Sequence, residues 1–185
     1  MKKRNTWIRS AGVLLLALTV LASGGCAKPV ESAAPEVITL DFFAPDAAFE
    51  VAVTIAHMYS AYYPGVEVRI TYDEGAALAA MIEAGYRCDV YLSDDPLYMD
   101  WLDGAVSGAG NPNGNDLILE DSRLDLMTGP ASDEEGETGS SVYSLAAIST
   151  SAQPAEAAKF VSYMADGTCD AVYSEYGFTR MTEEQ

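Results

Sequence analysis

The segment 64–95 changes from the hydrophobic period of a strand to that of a helix and back. Apolar and polar residues alternate over 66–71, which predicts a strand with one buried face. An apolar stripe at helical spacing follows in 77–82, and Gly85 ends that helix. The apolar run 89–93 then predicts a second, buried strand. The segment therefore reads as one strand, helix, strand unit.

Two strands joined by a helix normally lie parallel in one sheet with a right-handed crossover. In such sheets small ligands lie beyond the carboxyl ends of the strands. Asp73, Glu74 and Gly75 occupy one of these ends. This position makes them the first place to look for a site.

The chain before this unit predicts a further strand and helix. Residues 37–43 are almost wholly apolar, as in a strand covered on both faces. A long amphipathic helix follows, with Asp46 as its expected N-cap and Pro64 just beyond its end. His57 lies within this helix, and we interpret it as a surface packing residue. Beyond the central unit, Asp95 and Pro96 open another helix.

The second half predicts strands at 123–128 and 142–149, separated by the acidic segment 129–141. This segment has no apolar anchor, and its acids lack the ligand spacing of an EF-hand, so we interpret it as a solvated linker. Helices follow at 154–164 and 168–176. The expected fold class is α/β, a three-layer, mostly parallel sheet of about five strands with helices on both faces.

The amino-terminal residues predict export. Basic residues precede an apolar run at 11–22 that is too short for a permanent membrane span. Small residues directly before Cys26 resemble a bacterial lipobox, which implies a signal peptide at 1–25 and acylation of Cys26. Residues 26–36 are then a flexible tether. The alternative is ordinary secretion with Cys26 cut away.

The chain has 185 residues and a formal net charge of −18. Removal of 1–25 would leave six basic residues against 28 acids, a net charge of −22. Such a charge excludes nucleic acid as a partner. In an oxidising compartment, Cys88 and Cys169 either pair as a disulfide or lie buried as separate thiols.

The sequence offers no enzymatic constellation. No nucleophile stands with a base, no cysteines or histidines have metal-ligand spacing, and no phosphate loop is present. We therefore expect no catalytic activity, no metal site and no cofactor.

Four segments resemble the substrate-binding proteins of bacterial ABC importers, and most closely the molybdate-binding family. They are LDFFAPDAAFEVA, YYPGVEVRITYDEGAALAAMIEAGYRCDVYLSDD, SRLDLMTGP and YSLAAISTSAQPAEAAKFVSYMADGTCDAVYSEYGF. The resemblance covers most of residues 38 to 180. It implies a type II periplasmic-binding-protein-like fold that closes on an oxyanion and hands it to a membrane permease.

The resemblance places the ligand at Asp46, Glu74, Gly75 and Ala76. The family carries serine hydroxyls at the positions of Asp46 and Gly75, so the molybdate site is degraded or retuned here. We expect Asp46, Asp73 and Glu74 to cluster near the amino end of the second helix and to weaken molybdate binding. Serine at Asp46 and Gly75 should then improve any residual affinity.

The resemblance also implies a second lobe where this chain has only 129–141, and so few residues cannot pack as a lobe. We therefore expect a single lobe spanning 37–180. Two functions stay open. One is a lipid-anchored solute-binding protein on the extracytoplasmic membrane face, serving an ABC permease with a small oxyanion or other small solute. The other is a non-transport lipoprotein that uses one lobe as an interaction or scaffold module.

Overall fold

The computed structural model describes residues 37–104, 116–130 and 140–181. The predicted signal peptide, Cys26 and the tether lie outside these residues. Within them, no helix combines the length and the apolar character needed to cross a bilayer.

Six strands and five α-helices make up the described part of the chain. The elements in order are β1 (Ile38–Pro45), α1 (Phe49–Tyr62), β2 (Val66–Asp73), α2 (Gly75–Glu83), β3 (Val90–Ser93), α3 (Pro96–Leu102), β4 (Leu124–Pro130), β5 (Ser140–Ala147), α4 (Pro154–Ala165), α5 (Asp170–Glu175) and β6 (Thr179–Arg180). Short 3-10 turns at Asp46–Ala48 and Gly167–Cys169 precede α1 and α5.

The strands form one sheet in the order β2-β1-β3-β5-β4-β6. Strand β1 pairs in parallel with β2 and β3, whereas β5 is antiparallel to both β3 and β4, and β6 is antiparallel to β4. The predicted α/β class and single lobe are confirmed. In detail the sheet is mixed rather than mostly parallel, because β4 and β5 pair as neighbours instead of being joined by a crossover.

The strand alternation divides the apolar side chains between two cores. In β1, Leu40 and Phe42 face the core beneath α1, α4 and α5, and Phe43 faces the core beneath α2 and α3. Phe160 of α4 packs edge-to-face on Phe42, with ring centroids 5.3 Å apart. Tyr59 of α1 lies 4.8 Å from Phe160. The helices therefore cover both faces of the sheet, as predicted.

The segment 129–141 is not wholly a linker. Gly129 and Pro130 end β4, Ser140 and Ser141 begin β5, and the register pairs Pro130 with Ser140. Nine residues, 131–139, connect the paired ends and lie outside the described residues. Since a short connection suits antiparallel neighbours, this pairing also explains the mixed sheet.

The expected Asp46 cap is wrong. Asp46 begins the 3-10 turn, α1 starts at Phe49, and no side chain caps either element. The predicted opening of a helix at Asp95 and Pro96 is present as α3, where the Asp95 side chain caps the helix by accepting a hydrogen bond from the Leu97 amide at 2.8 Å.

Cys88 and Cys169 are free and buried. Cys88 lies in the core beneath α2 and α3, and Cys169 lies in the core on the opposite face of the sheet. The candidate disulfide therefore does not form, because the sheet separates the two thiols. The structure agrees with the alternative, in which the two thiols are buried separately.

Candidate functional site

The carboxyl ends of β1, β2 and β3 lie side by side, so these three strands finish at the same end of the sheet. Pro45 at the end of β1 is the register partner of Asp73 at the end of β2. Asp46 and Glu74 are the next residues along the two strands, and both are exposed. The pairing therefore brings three of the predicted acids, Asp46, Asp73 and Glu74, to the same edge.

Strand β3 adds two carboxylates that the sequence analysis did not assign to a site. Asp94 and Asp95 directly follow its last residue, Ser93, whose hydroxyl donates to the Asp95 carbonyl oxygen at 2.8 Å. Burial raises the pKa of Tyr98, and the carboxylates of Asp95, Asp94 and Glu74 raise it further. We call the five residues Asp46, Asp73, Glu74, Asp94 and Asp95 the carboxyl edge.

The amino end of α2 enters this edge at Gly75 and Ala76. Glu74 is the N-cap residue, but its side chain does not cap the helix. Gly75 is buried, and the Tyr91 hydroxyl donates to its carbonyl oxygen at 3.0 Å. Burial raises the pKa of Tyr91, so this hydroxyl stays protonated and able to donate. Helix amino ends carry unpaired N–H groups and a partial positive charge, which favour a bound anion.

Asp94 already lies at this helix end. A Cβ built on Gly75 would clash with Asp94 Oδ1, and it would also lie 3.2 Å from two ring carbons of Tyr98. Asp94 Oδ1 is buried and accepts no hydrogen bond within the described residues. A carboxylate of the chain therefore lies at the amino end of α2, against Gly75, one of the four residues at which the resemblance predicts the ligand. The sequence feature that could have pointed to Asp94 is its position directly after the buried strand β3.

Within the part of the chain that the structure describes, no cation compensates the charge of the carboxyl edge. Among the described residues, each ion pair of a Lys or Arg involves an acid elsewhere in the fold, and none includes the five residues of this edge. No group of three His, Cys, Asp or Glu side chains in the described ranges is arranged to hold a metal ion. The edge therefore presents negative charge without a metal-binding geometry.

Two concave regions lie away from this edge. One, of about 460 Å³, lies between α4 and the segment before β4, with Leu119, Leu124 and Val161 among its lining residues. The other, of about 490 Å³, is lined near the start of β1 by Val37 and Arg87 among others. Neither is lined by Asp46, Glu74, Gly75 or Ala76, so these four assignments stay predictions.

The sequence profile of the family described as bacterial extracellular solute-binding protein matches residues 40–119. No protein with a curated functional description matches the chain.

Solved structures share the fold at low sequence identity. The substrate-binding domain assigned to a molybdenum ABC transporter of Clostridium difficile has a TM-score of 0.65 and 12% identity, covering 78% of this chain and 100% of that one. The periplasmic molybdate-binding protein of Azotobacter vinelandii has a TM-score of 0.63 and 12% identity, covering 77% and 100%. Iron-bound HitA of Pseudomonas aeruginosa has a TM-score of 0.58 and 12% identity, covering 80% and 88%.

The names of these neighbours include both molybdate and iron, so a shared fold does not decide the solute. The resemblance that the four sequence segments predict is nevertheless confirmed: the described chain has a single lobe of the substrate-binding protein fold, and residues 40–119 match the bacterial extracellular solute-binding proteins.

Proposed function

We propose that this chain is the exported, lipid-anchored solute-binding component of an ABC importer, and that its carboxyl edge rejects free oxyanions such as molybdate. The family profile and the fold support the first part. The second part is carried by one observation, the Asp94 carboxylate beside Gly75 at the amino end of α2.

Electrostatics gives the reason for this rejection. A dianion entering the amino end of α2 would meet the charge of Asp94, and Glu74 and Asp46 add negative charge at the same end of the sheet. At an intermediate dielectric, each close pair of like charges costs on the order of a few kcal/mol. About 3 kcal/mol is enough to lower an affinity about 100-fold. The helix dipole offsets only part of this repulsion, since a helix end contributes about 1 kcal/mol at an exposed site.

The single lobe should also weaken the binding of a solute. Pairing of Pro130 with Ser140 joins β4 directly to β5, at the place where the resemblance implies a second lobe. A solute at the carboxyl edge would therefore lack an opposing wall from the described residues. Binding proteins gain affinity by burying most of the ligand surface, so affinity here depends on what covers the edge.

The same pairing favours a second candidate function. A lobe whose described residues form no opposing wall suits a non-transport lipoprotein that uses its surface as an interaction or scaffold module. The two candidates differ in one measurable property, since only a solute-binding protein gains stability as free solute rises above the dissociation constant.

The test is isothermal titration of the chain from Ala27 onward, which contains every residue of both cores, with molybdate, tungstate, sulfate and divalent cations. We expect no saturable heat from the three oxyanions and no change in melting temperature when any of these three is added. Tight molybdate binding would overturn the proposed rejection. An Asp94→Asn variant is the matched control, because it removes the charge and keeps the shape of the side chain. If no solute raises the melting temperature of either protein, the scaffold function replaces solute binding.

Lipid anchoring has its own test in the full chain. Mass spectrometry should find acyl groups on the native protein and none on a Cys26→Ser variant. Recovery of native protein without acyl groups in the secreted fraction would contradict the anchor.

A further inference from the structure

Large exposed apolar side chains gather where β1, β2 and β3 begin, at the end of the sheet opposite the carboxyl edge. Val37 precedes β1, Tyr62 ends α1 and Tyr63 follows it, and Tyr86 lies between α2 and β3. Tyr62 is 72% exposed and Tyr86 is 60% exposed. Because each crossover helix returns the chain to the start of the next parallel strand, these residues all lie where β1, β2 and β3 begin. We call Val37, Tyr62, Tyr63 and Tyr86 the amino edge.

Short contacts connect this edge into one surface. The Tyr62 and Tyr63 rings lie 4.8 Å apart. The Tyr63 carbonyl oxygen accepts from the Val66 amide at 2.8 Å, and the Ile38 amide donates to the Gly65 carbonyl oxygen at 2.9 Å. On the other side of β1, the Arg87 guanidinium, next to Tyr86, donates to the Thr39 carbonyl oxygen at 3.0 Å.

Charge distinguishes the two edges. Near the amino edge, Asp41 binds Arg69 at 2.8 Å and Arg87 at 2.7 Å, and Glu156 binds Lys159 at 2.9 Å. Asp89 also binds Arg87, at 3.7 Å. Glu67 and Glu83 form no ion pair among the described residues, so the three cations offset only part of the negative charge there. At the carboxyl edge, the five acids have no such partner among the described residues. An anionic surface is therefore repelled less at the amino edge than at the carboxyl edge.

From these observations we propose that, while the chain is not docked on a permease, the amino edge rests on the lipid bilayer and the carboxyl edge faces away from it. Tyrosine suits this position because its ring enters the interfacial region while its hydroxyl stays hydrated. The chain also enters the described structure at Val37, within this edge, directly after the predicted tether. The proposal goes beyond the proposed function and shares with it only the assumption that the tether leads to a membrane.

The burial that this contact provides is small, so it depends on tethering. Three tyrosines and a valine cannot hold a protein on a membrane alone, just as a single acyl chain gives only marginal binding. A tether raises the effective concentration of the edge at the surface, so weak contacts become populated. Tyr72 at the carboxyl edge is 55% exposed, but it lies among unpaired carboxylates and is not expected to face the bilayer.

The test measures which end of α2 approaches the lipid. The chain from Ala27 onward, with an amino-terminal hexahistidine tag, is held on phosphatidylcholine vesicles by nickel-chelating lipid. A fluorophore is attached at Ala84→Cys or Ala76→Cys, two exposed positions about 12 Å apart along the helix. The native thiols are buried and should stay unlabelled. We expect nitroxide lipid to quench the label at 84 several-fold more than the label at 76.

A combined Tyr62→Ser, Tyr63→Ser and Tyr86→Ser variant should lose the excess quenching at 84, while Tyr72→Ser should keep it. Circular dichroism checks that both variants stay folded. Equal quenching at the two ends of α2, or quenching that survives in the folded triple variant, would overturn the proposal. Because the tag replaces the acyl anchor, this result does not depend on whether Cys26 is acylated or on any solute.

Discussion

Asp94 Oδ1 lies against the backbone of Gly75, so position 75 has no room for a Cβ. The two residues come from different elements, the end of β3 and the start of α2, and meet at the carboxyl edge. The contact explains why glycine occupies a position where the resemblance expects serine. The expectation that serine at both Asp46 and Gly75 improves anion binding stays a prediction, and the contact adds that a side chain at position 75 would first displace Asp94.

Gly75→Ala should therefore destabilise the fold. Displacing Asp94 and crowding Tyr98 should cost about 1 to 3 kcal/mol, the usual range for overpacking a buried position. Urea unfolding measures the change. Combining Gly75→Ala with Asp94→Ala should recover most of the loss, since the blocking carboxylate is gone. A double variant no more stable than Gly75→Ala would show that Asp94 is not the obstacle.

Gly129→Ala should weaken the strand pair that closes the lobe. A Cβ at this position would clash with the Phe178 ring, which itself packs edge-to-face on Tyr143 with centroids 5.1 Å apart. We expect a loss of about 1 to 3 kcal/mol in the free energy of unfolding. Gly65→Ala is the matched control, because a Cβ there meets nothing within 4 Å. Equal losses from the two changes would contradict the packing of Phe178 on β4.

Tyr59→Phe should destabilise the contact between α1 and α4. The buried Tyr59 hydroxyl donates to Glu156 Oε1 at 2.6 Å, and Lys159 donates to Glu156 Oε2 at 2.9 Å. Removing the hydroxyl leaves one oxygen of a buried carboxylate without its donor, at a cost of about 1 to 3 kcal/mol. Chemical denaturation near neutral pH provides the measurement. An unchanged midpoint would show that water replaces the hydroxyl.

Glu156 should also make stability depend on pH. Burial alone would raise the pKa of Glu156, but the hydrogen bonds from Tyr59 and Lys159 outweigh this effect and hold the pKa below its usual value. The stabilisation is thus present above the unfolded pKa and is lost as pH falls through the folded one. Stability measured from pH 6 down to pH 3 should fall less steeply in Glu156→Gln than in the native protein. Identical slopes would contradict this linkage.

The thiols should be free but unreactive in the folded protein. Burial raises the pKa of Cys88 and raises that of Cys169 to about 11, so little thiolate forms near neutral pH. A thiol reagent should react slowly with the native chain from Ala27 onward and rapidly with both cysteines after unfolding in denaturant without reductant. Detection of a Cys88–Cys169 bridge by mass spectrometry would contradict the structure.

Local patterns in the sequence predicted most of the elements and the edge that carries the candidate site. Period-two alternation in 66–71 and the apolar stripe in 77–82 each depend on neighbouring residues, which set which face of a strand or helix is buried. Glycine also acts locally: Gly85 and Gly177 have φ values of +84° and +81° and lie just beyond α2 and α5. Asp46 and Glu74 could be placed at one edge because parallel neighbours bring their carboxyl ends together.

Contacts between residues far apart in sequence were decided only by the tertiary structure. Strand β5 lies antiparallel to β3 because of pairing across the sheet, and the hydrophobic period within one segment does not show which strands pair. The separation of Cys88 from Cys169 likewise depends on which side of the sheet each residue's element packs. The position of Asp94 against Gly75 follows from the packing of α2 beside the end of β3. The sequence by itself determined that acids gather at the carboxyl edge, whereas the tertiary structure decided which of them occupies the helix end, because that depends on side-chain packing in three dimensions.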